Sequence, residues 1–168
     1  ARSGGEANAI AIRIARAASG RDKVAVCGYH GWHDWYLSSN IGNNKVLDNH
    51  LLTGLEIKGV PRNLQNTVFP FHYNRFDELE ALVNTHEIGV IKMEVERSTE
   101  PKDDFLNKVR KLATKHNIVL IASLKLIKLQ MKKLKFKIKI NILNEKKISF
   151  KKINKNEINI INVDYKVI

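Results

Sequence analysis

The chain of 168 residues is long enough for one domain with a hydrophobic core, and its formal net charge at pH 7 is +12. No stretch approaches the roughly 18 consecutive apolar residues of a membrane-spanning helix, which argues against a membrane protein. The single cysteine, Cys27, excludes an internal disulfide framework, is typical of a cytoplasmic protein, and leaves the six histidines without the cysteine pair of a zinc site.

The first predicted element is a helix that begins in a glycine-containing turn. Ser3-Gly4-Gly5 leads into residues 9–18, which are rich in Ala, Ile and Arg and end before Gly20. Adjacent glycines allow close backbone approach, and the N–H groups and dipole at a helix N-terminus attract anions. The turn therefore predicts a phosphate site, with an ordinary helix start capped by Ser3 as the alternative. Because the chain starts without Met inside such a motif, we expect a piece of a longer protein.

The apolar residues 24–27 predict a strand buried in a parallel sheet. Tyr29-His30-Gly31 follows directly, and an aromatic ring and a histidine beside glycines suit a planar ligand. The alternative is that aromatic side chains of this segment pack together as a small cluster, comprising Tyr29, Trp32, Trp35 and Tyr36. Residues 37–65 show little periodicity and predict a long, mostly irregular connection.

Three more apolar runs, at residues 67–71, 88–95 and 118–121, predict further strands. Pro70 indicates that the first of them is short or lies at a sheet edge. Strands that alternate with helices form βαβ units. The predicted fold class is therefore α/β, with a mainly parallel sheet flanked by helices.

Two helices are predicted between these strands, each with one apolar face on the sheet. Asn74 is the predicted cap of the first helix, whose buried face comprises Phe76, Leu79, Leu82 and Val83. Asp103 or Asp104 is expected to open the second helix, whose inward-facing residues are Phe105, Leu106, Val109 and Leu112.

Ligand sites in such sheets gather at the carboxyl ends of the strands. That rule selects Tyr29-His30-Gly31, the Glu94-Val95-Glu96 segment and whatever follows residue 121. Strand side chains alternate between faces, so at most one of the two glutamates faces a given site. No metal site is predicted. Four other histidines are expected to be surface or satisfied polar residues: His50, His72, His86 and His116.

The order and spacing of these segments resemble the class III aminotransferases, which depend on pyridoxal 5'-phosphate (PLP). Ser-Gly-Gly-Glu-Ala opens a helix, Gly-Arg-Asp-Lys precedes a strand, Tyr-His-Gly follows it, and a later strand carries Glu94. The resemblance covers residues 1–121 and is closest to the glutamate-1-semialdehyde aminomutase-like branch. It implies part of the large domain of a fold-type I PLP-dependent transferase, which moves an amino group between an amino donor and a carbonyl compound.

The resemblance also implies residues that bind the cofactor phosphate. The family uses a Ser-Gly-Thr-Glu-Ala segment for this purpose, which corresponds here to Ser3, Gly4 and Gly5. Gly5 replaces a threonine that is common in the family. Its backbone N–H must therefore serve in place of the threonine hydroxyl.

Three further cofactor-binding residues are implied by the resemblance. The aromatic ring that stacks on the pyridine ring in the family corresponds to Tyr29, with His30 close by. Glu94 matches a glutamate that precedes a proline in many members, and Val95 replaces that proline here.

The two groups that perform the electron chemistry in the family have no match in this chain. The family aspartate that keeps the pyridine nitrogen protonated lies in a Phe-Asp-Glu segment, where this chain reads Ala122-Ser123-Leu124. The Schiff-base lysine lies further on, in a region that is rich in Lys, Ile and Asn here. We therefore expect no catalytic residue in this chain, weak or absent PLP retention, and no transamination.

The composition changes sharply at residue 122. Residues 1–121 carry 16 Lys and Arg against 14 acidic residues, whereas residues 122–168 carry 13 Lys, no Arg and 3 acidic residues. All nine Gly and all three Pro lie before this boundary. We expect a β-prone or disordered, frameshift-like, non-native segment at 122–168. The alternative is a basic module that binds nucleic acid or an anionic membrane surface.

Three hypotheses follow: a fragment of a PLP enzyme, a nucleic-acid-binding module built on residues 122–168, and a nucleotide or sugar-phosphate binder of the same fold class. The first implies a small-molecule amino donor and acceptor as partners. The resemblance adds a homodimer for the intact relative. We expect neither membrane binding nor nucleic-acid binding.

Overall fold

A computed structural model describes residues 1–42, 45–48, 50, 53–94, 99–118, 132, 139–143 and 158–161. The connection between the second helix and the second strand contains two turns of 3-10 helix, Ser38–Asn40 and Arg62–Leu64. The helices and strands are, in chain order, α1 (Gly4–Ser19), β1 (Lys23–Val26), α2 (Asp34–Leu37), β2 (Val68–Pro70), α3 (Phe76–Thr85), β3 (Ile88–Lys92), α4 (Phe105–Lys115), β4 (Ile140–Leu143) and β5 (Ile158–Ile161).

The first three strands form a parallel sheet in the order β2-β1-β3. In its register Val24 lies between Val68 of β2 and Val90 of β3. Among the described strands of this sheet, β2 is an outer one, where the missing N–H of Pro70 costs no ladder hydrogen bond. The strand has three residues, so the prediction of a short or edge strand is confirmed. The α/β fold class with a mainly parallel sheet is likewise confirmed.

Side chains of β1 alternate between two hydrophobic clusters, one on each face of the sheet. Val24 and Val26 pack with Ile12 and Ala15 of α1 and with the buried residues of α2. Ala25 and Cys27 pack on the other face with side chains of α3 and α4, among them Leu79, Val83, Phe105, Val109 and Leu112. Helices therefore cover both faces, and the predicted apolar faces of α3 and α4 are confirmed.

Helix α1 has the start and stop that its sequence predicts. The Oγ of Ser3 accepts the N–H of Glu6 at 3.2 Å, which satisfies one of the otherwise unpaired first-turn donors. Gly20 ends the helix with a φ of +65°, a conformation that glycine adopts without strain. Ile12 and Ala15 anchor the helix on the sheet.

The prediction that Asn74 caps α3 is wrong. The helix begins at Phe76 after Arg75, and Asn74 itself has a φ of +64°. Its Oδ1 accepts the N–H of Lys102 at 3.0 Å, and its Nδ2 donates to the carbonyl of Glu100 at 3.0 Å. The side chain therefore binds the segment ahead of α4, a contact between residues far apart in the sequence.

Other predicted boundaries fall close to the observed ones. Helix α4 begins at Phe105, directly after Asp104, as predicted. Strand β3 ends at Lys92, three residues short of the predicted end. The predicted strand at 118–121 lies outside the described residues except for residue 118. None of the helices in the described part of the chain has the length and apolar character needed to cross a lipid bilayer.

Within residues 122–168, strands β4 and β5 pair in parallel as a separate two-stranded sheet. Strand β4, Ile-Asn-Ile-Leu, and strand β5, Ile-Asn-Ile-Ile, both lie in the segment that is predicted to be β-prone or disordered. The division of the chain at residue 122 stays a prediction.

Candidate functional site

The first turn of α1 and the loop after β1, residues 28–33, lie in direct backbone contact. A Cβ added to Gly31 would lie 2.9 Å from the Cα of Gly5, closer than real Cβ atoms approach backbone. Gly31 also has a φ of +111°, which a side chain rarely tolerates. A Cβ on Gly5 would lie 3.2 Å from Cδ2 of His33. Two of the segments that the sequence selects as ligand sites thus lie side by side.

Hydrogen bonds hold this loop against its neighbours. Asn8 of α1 donates from Nδ2 to the carbonyl of His30 at 3.1 Å. Gly28 is bonded twice, since its N–H donates to Nδ1 of His50 at 3.2 Å and its carbonyl accepts the hydroxyl of Tyr36 at 2.9 Å. Sequence reasoning missed Asn8, although its position one helical turn after the glycine pair places it next to that turn.

Tyr29 and His30 have different environments within the loop. The half-buried Tyr29 makes an edge-to-face contact with Tyr36, with ring centroids 6.0 Å apart and ring planes at 89°. His30 is only 2% exposed, and its Nε2 lies 2.7 Å from the carbonyl oxygen of Cys27. The histidine ring therefore fixes the path of the chain as it leaves β1.

The aromatic cluster considered as the alternative forms in part. Tyr36 is fully buried and contacts both Tyr29 and Trp35, whose ring centroid lies 5.6 Å from its own. Trp32 instead stacks on His33 at 4.9 Å and is 69% exposed. Packing and ligand binding are compatible, because Tyr29 stays half-buried with its edge-to-face contact to Tyr36 in place.

Glu94 lies two residues beyond the carboxyl end of β3, next to the end of β1. The N–H of Cys27 donates to the carbonyl of Lys92 at 2.9 Å, which joins the two strands at this edge. Burial raises the pKa of the Cys27 thiol to about 12, and the carboxylates of Glu78 and Glu94 add to the increase. The thiol therefore stays protonated at neutral pH and is unsuited to nucleophilic chemistry. The predicted candidate Glu96 lies outside the described residues.

His50 and His72 form a stacked pair at the same edge of the sheet, with ring centroids 5.3 Å apart. His50 is 4% exposed, and burial lowers its pKa, with His72 adding to the decrease and Glu78 opposing it. His72 lies 2.9 Å from Oε2 of Glu78. Both histidines are thus satisfied polar residues, as predicted, but no sequence signal in the irregular connection showed that His50 supports Gly28. No group of three or more metal-ligating side chains occurs among the residues described.

The curated proteins that are similar to most of this chain include an aminotransferase and an aminomutase. This chain is 33% identical over 129 residues to 3-aminobutyryl-CoA aminotransferase of Cloacimonas acidaminovorans. The alignment covers 71% of this chain and 27% of that protein. The chain is 38% identical over 125 residues to glutamate-1-semialdehyde 2,1-aminomutase of Sulfurisphaera tokodaii, covering 71% of this chain and 29% of that protein. The resemblance to class III aminotransferases that the sequence motifs predict is confirmed over this part of the chain. No protein-family model matches the chain.

Solved structures of class III aminotransferases share the fold of the segment. An omega-transaminase from Sphaerobacter thermophilus aligns with a TM-score of 0.55 and 25% identity, over 71% of this chain and 29% of that one. A glutamate-1-semialdehyde aminomutase from Pseudomonas aeruginosa, crystallised in complex with PMP, aligns with a TM-score of 0.54 and 24% identity, over 72% and 27% of the two chains. The chain thus spans less than a third of the length of these aminotransferase relatives.

Proposed function

We propose that this chain carries the part of a PLP-dependent class III aminotransferase or aminomutase that binds the cofactor phosphate and supports its pyridine ring. The observation that carries the proposal is the backbone contact between Gly5 and Gly31. It puts the N-terminus of α1 beside the loop that bears Tyr29. This neighbourhood supports the proposal that one small molecule touches both the phosphate site and the ring platform.

The first turn of α1 fits a phosphate group. The N–H groups of Gly4 and Gly5 belong to the first turn and have no acceptor within a helix, and the helix dipole adds to their attraction for an anion. A Cβ at Gly4 would meet nothing within 4 Å among the described residues, so the space next to the Gly4 Cα is open. The carboxylate of Glu6 accepts the N–H of Arg2, which partly offsets its negative charge near the turn.

The remaining residues orient the cofactor ring. We assign stacking on the pyridine ring to Tyr29, whose own ring makes an edge-to-face contact with Tyr36. His30 holds the loop in place through the contact of its Nε2 with the carbonyl oxygen of Cys27. Glu94 lies just beyond the end of the neighbouring strand β3. When bound, PLP supplies an electron sink that stabilises a carbanion at the substrate. The residues of this chain bind and orient the cofactor, and none of them is assigned a proton transfer.

We propose no transamination by this chain alone, because Ala122-Ser123-Leu124 stands where the family carries the aspartate for the pyridine nitrogen. The intact relative would use a small-molecule amino donor and acceptor and would act as a homodimer. A basic nucleic-acid-binding module in residues 122–168 is the competing function, supported by the net charge of +10 in that segment.

The test compares pyridoxamine 5'-phosphate with pyridoxamine by equilibrium dialysis. Neither compound has an aldehyde, so the many lysines of the chain cannot react with them. We expect the phosphorylated compound to bind more tightly. Tyr29→Ala should lower the affinity for both compounds by about threefold to tenfold, which corresponds to the free energy of one aromatic contact. Equal affinity for the two compounds would refute the phosphate assignment, and a sugar phosphate that binds equally well to wild type and Tyr29→Ala would favour the simpler phosphate binder.

A further inference from the structure

A second candidate site lies along α1, beyond its first turn. A cleft of about 450 Å³ opens between this helix and residues 32–35. Arg13 and Arg16 line it from the helix, and the exposed Trp32, stacked on His33, forms part of the opposite wall. The phosphate site proposed above uses none of the two arginines or two tryptophans of this cleft.

Two buried hydrogen-bond donors in the walls of the cleft have no acceptor. Trp35 is 7% exposed, and its Nε1 is unpaired within the part of the chain that the structure describes. The same holds for Nη2 of Arg16, whose Nε donates to the carbonyl of Asp22 at 2.7 Å. Indole and guanidinium groups only donate hydrogen bonds, so what completes this cleft must bring acceptors.

The charge of the cleft favours an acidic ligand. Among the residues that line the cleft, the guanidinium groups of Arg13 and Arg16 outnumber the carboxylate of Asp34. Burial lowers the pKa of Arg16, and the carboxylate of Asp22, which lies outside the lining, opposes this larger effect. No described hydrogen bond or ion pair joins the Asp34 carboxylate to either arginine or to Trp35. Arginine side chains and an indole N–H suit an oxyanion, whose oxygens accept several donors at once.

We propose that this cleft binds the carboxylate or phosphate group of a small molecule, held by Arg13, Arg16 and the Nε1–H of Trp35. The exposed ring of Trp32 offers an aromatic surface for the body of the ligand. The cleft adjoins the phosphate-binding turn at His33, but its proposed ligand-binding side chains are not those of the turn, and it does not depend on the proposed cofactor.

The test uses the indole N–H signals of the full chain in ¹H–¹⁵N NMR spectra. Trp32 and Trp35 are the two tryptophans of the sequence, so two signals occur and Trp32→Phe assigns them. Sodium phosphate and sodium acetate are titrated separately, with sodium chloride at matched ionic strength as the reference. We expect a saturable downfield shift of the Trp35 signal. A response to phosphate alone, or to acetate alone, identifies which of the two groups the cleft prefers.

Variants separate this cleft from the turn at Ser3. Arg16→Gln should lower the affinity for the titrated anion, read from the Trp35 signal, about tenfold, which is the effect of losing a charge-assisted hydrogen bond. The exposed Arg13→Gln, which preserves the Asp22 contact, should weaken it less, and Asp34→Asn should strengthen it. Ser3→Ala and the exposed Arg62→Gln should leave it unchanged. A shift reproduced by chloride, one lost in Ser3→Ala, or one retained in both Arg13→Gln and Arg16→Gln would overturn the proposal.

Discussion

Replacing Gly31 by Ala tests the contact on which the candidate site depends. The new Cβ would lie 2.9 Å from the Cα of Gly5, and the φ of +111° would remain strained for any side chain. Backbone strain of this kind costs about 1–3 kcal/mol, and forcing a methyl group into a packed contact costs about 1–3 kcal/mol more. Because the opposing atom is backbone, relief requires that α1 and the loop move apart. We expect a loss of about 2–6 kcal/mol in the free energy of unfolding.

Gly20→Ala is the matched control for this substitution. Gly20 also has a positive φ, +65°, but a Cβ there would meet nothing within 4 Å. Its expected cost is therefore backbone strain alone, about 1–2 kcal/mol. Urea unfolding followed by tryptophan fluorescence measures both variants against the wild type. Equal destabilisation by the two substitutions would show that Gly5 and Gly31 do not touch.

Three further predictions concern the helix cap, a buried histidine and the basic segment. Ser3→Ala should lower stability by about 1 kcal/mol, because the N–H of Glu6 loses its acceptor, and urea unfolding would detect this. Burial lowers the pKa of His50 below its ordinary value of 6.5, so the unfolded chain takes up the proton first and stability should fall as the pH drops below about 6.5. His50→Gln should make the free energy of unfolding, measured by urea unfolding, depend less on pH below about 6.5. An unchanged pH dependence in this variant would contradict the role given to His50. Deleting residues 122–168 should abolish any salt-sensitive binding to nucleic acid in a gel-shift assay while leaving the binding of pyridoxamine 5'-phosphate intact.

Local signals were enough to predict most of the described elements. Ser3 and Gly20 mark the ends of α1 through contacts within a few residues, and Pro70 restricts β2 to a sheet edge by its own covalent structure. The alternation of apolar runs with amphipathic helices likewise requires only local sequence. The parallel sheet follows from them because βαβ connections allow few other arrangements.

Contacts between distant residues could not be predicted in this way. Asn74 looks like a helix cap, yet its side chain bonds to Lys102 and Glu100, which lie 28 and 26 residues away in the sequence. His50 lies in an aperiodic stretch, and its bond to Gly28 exists only because the connection folds back over the sheet. The same tertiary packing buries the unpaired donor of Trp35, which no pattern in the sequence indicates.

The most direct test of cofactor binding at the first turn of α1 is the response of the glycine amides. The chain has nine glycines, so a sample labelled with ¹⁵N-glycine gives nine backbone signals at most. Pyridoxamine 5'-phosphate should shift the Gly4 and Gly5 signals, pyridoxamine should not, and the remote Gly54 and Gly59 should respond to neither. If the phosphorylated compound leaves Gly4 and Gly5 unmoved at saturation, the phosphate does not bind at this helix N-terminus.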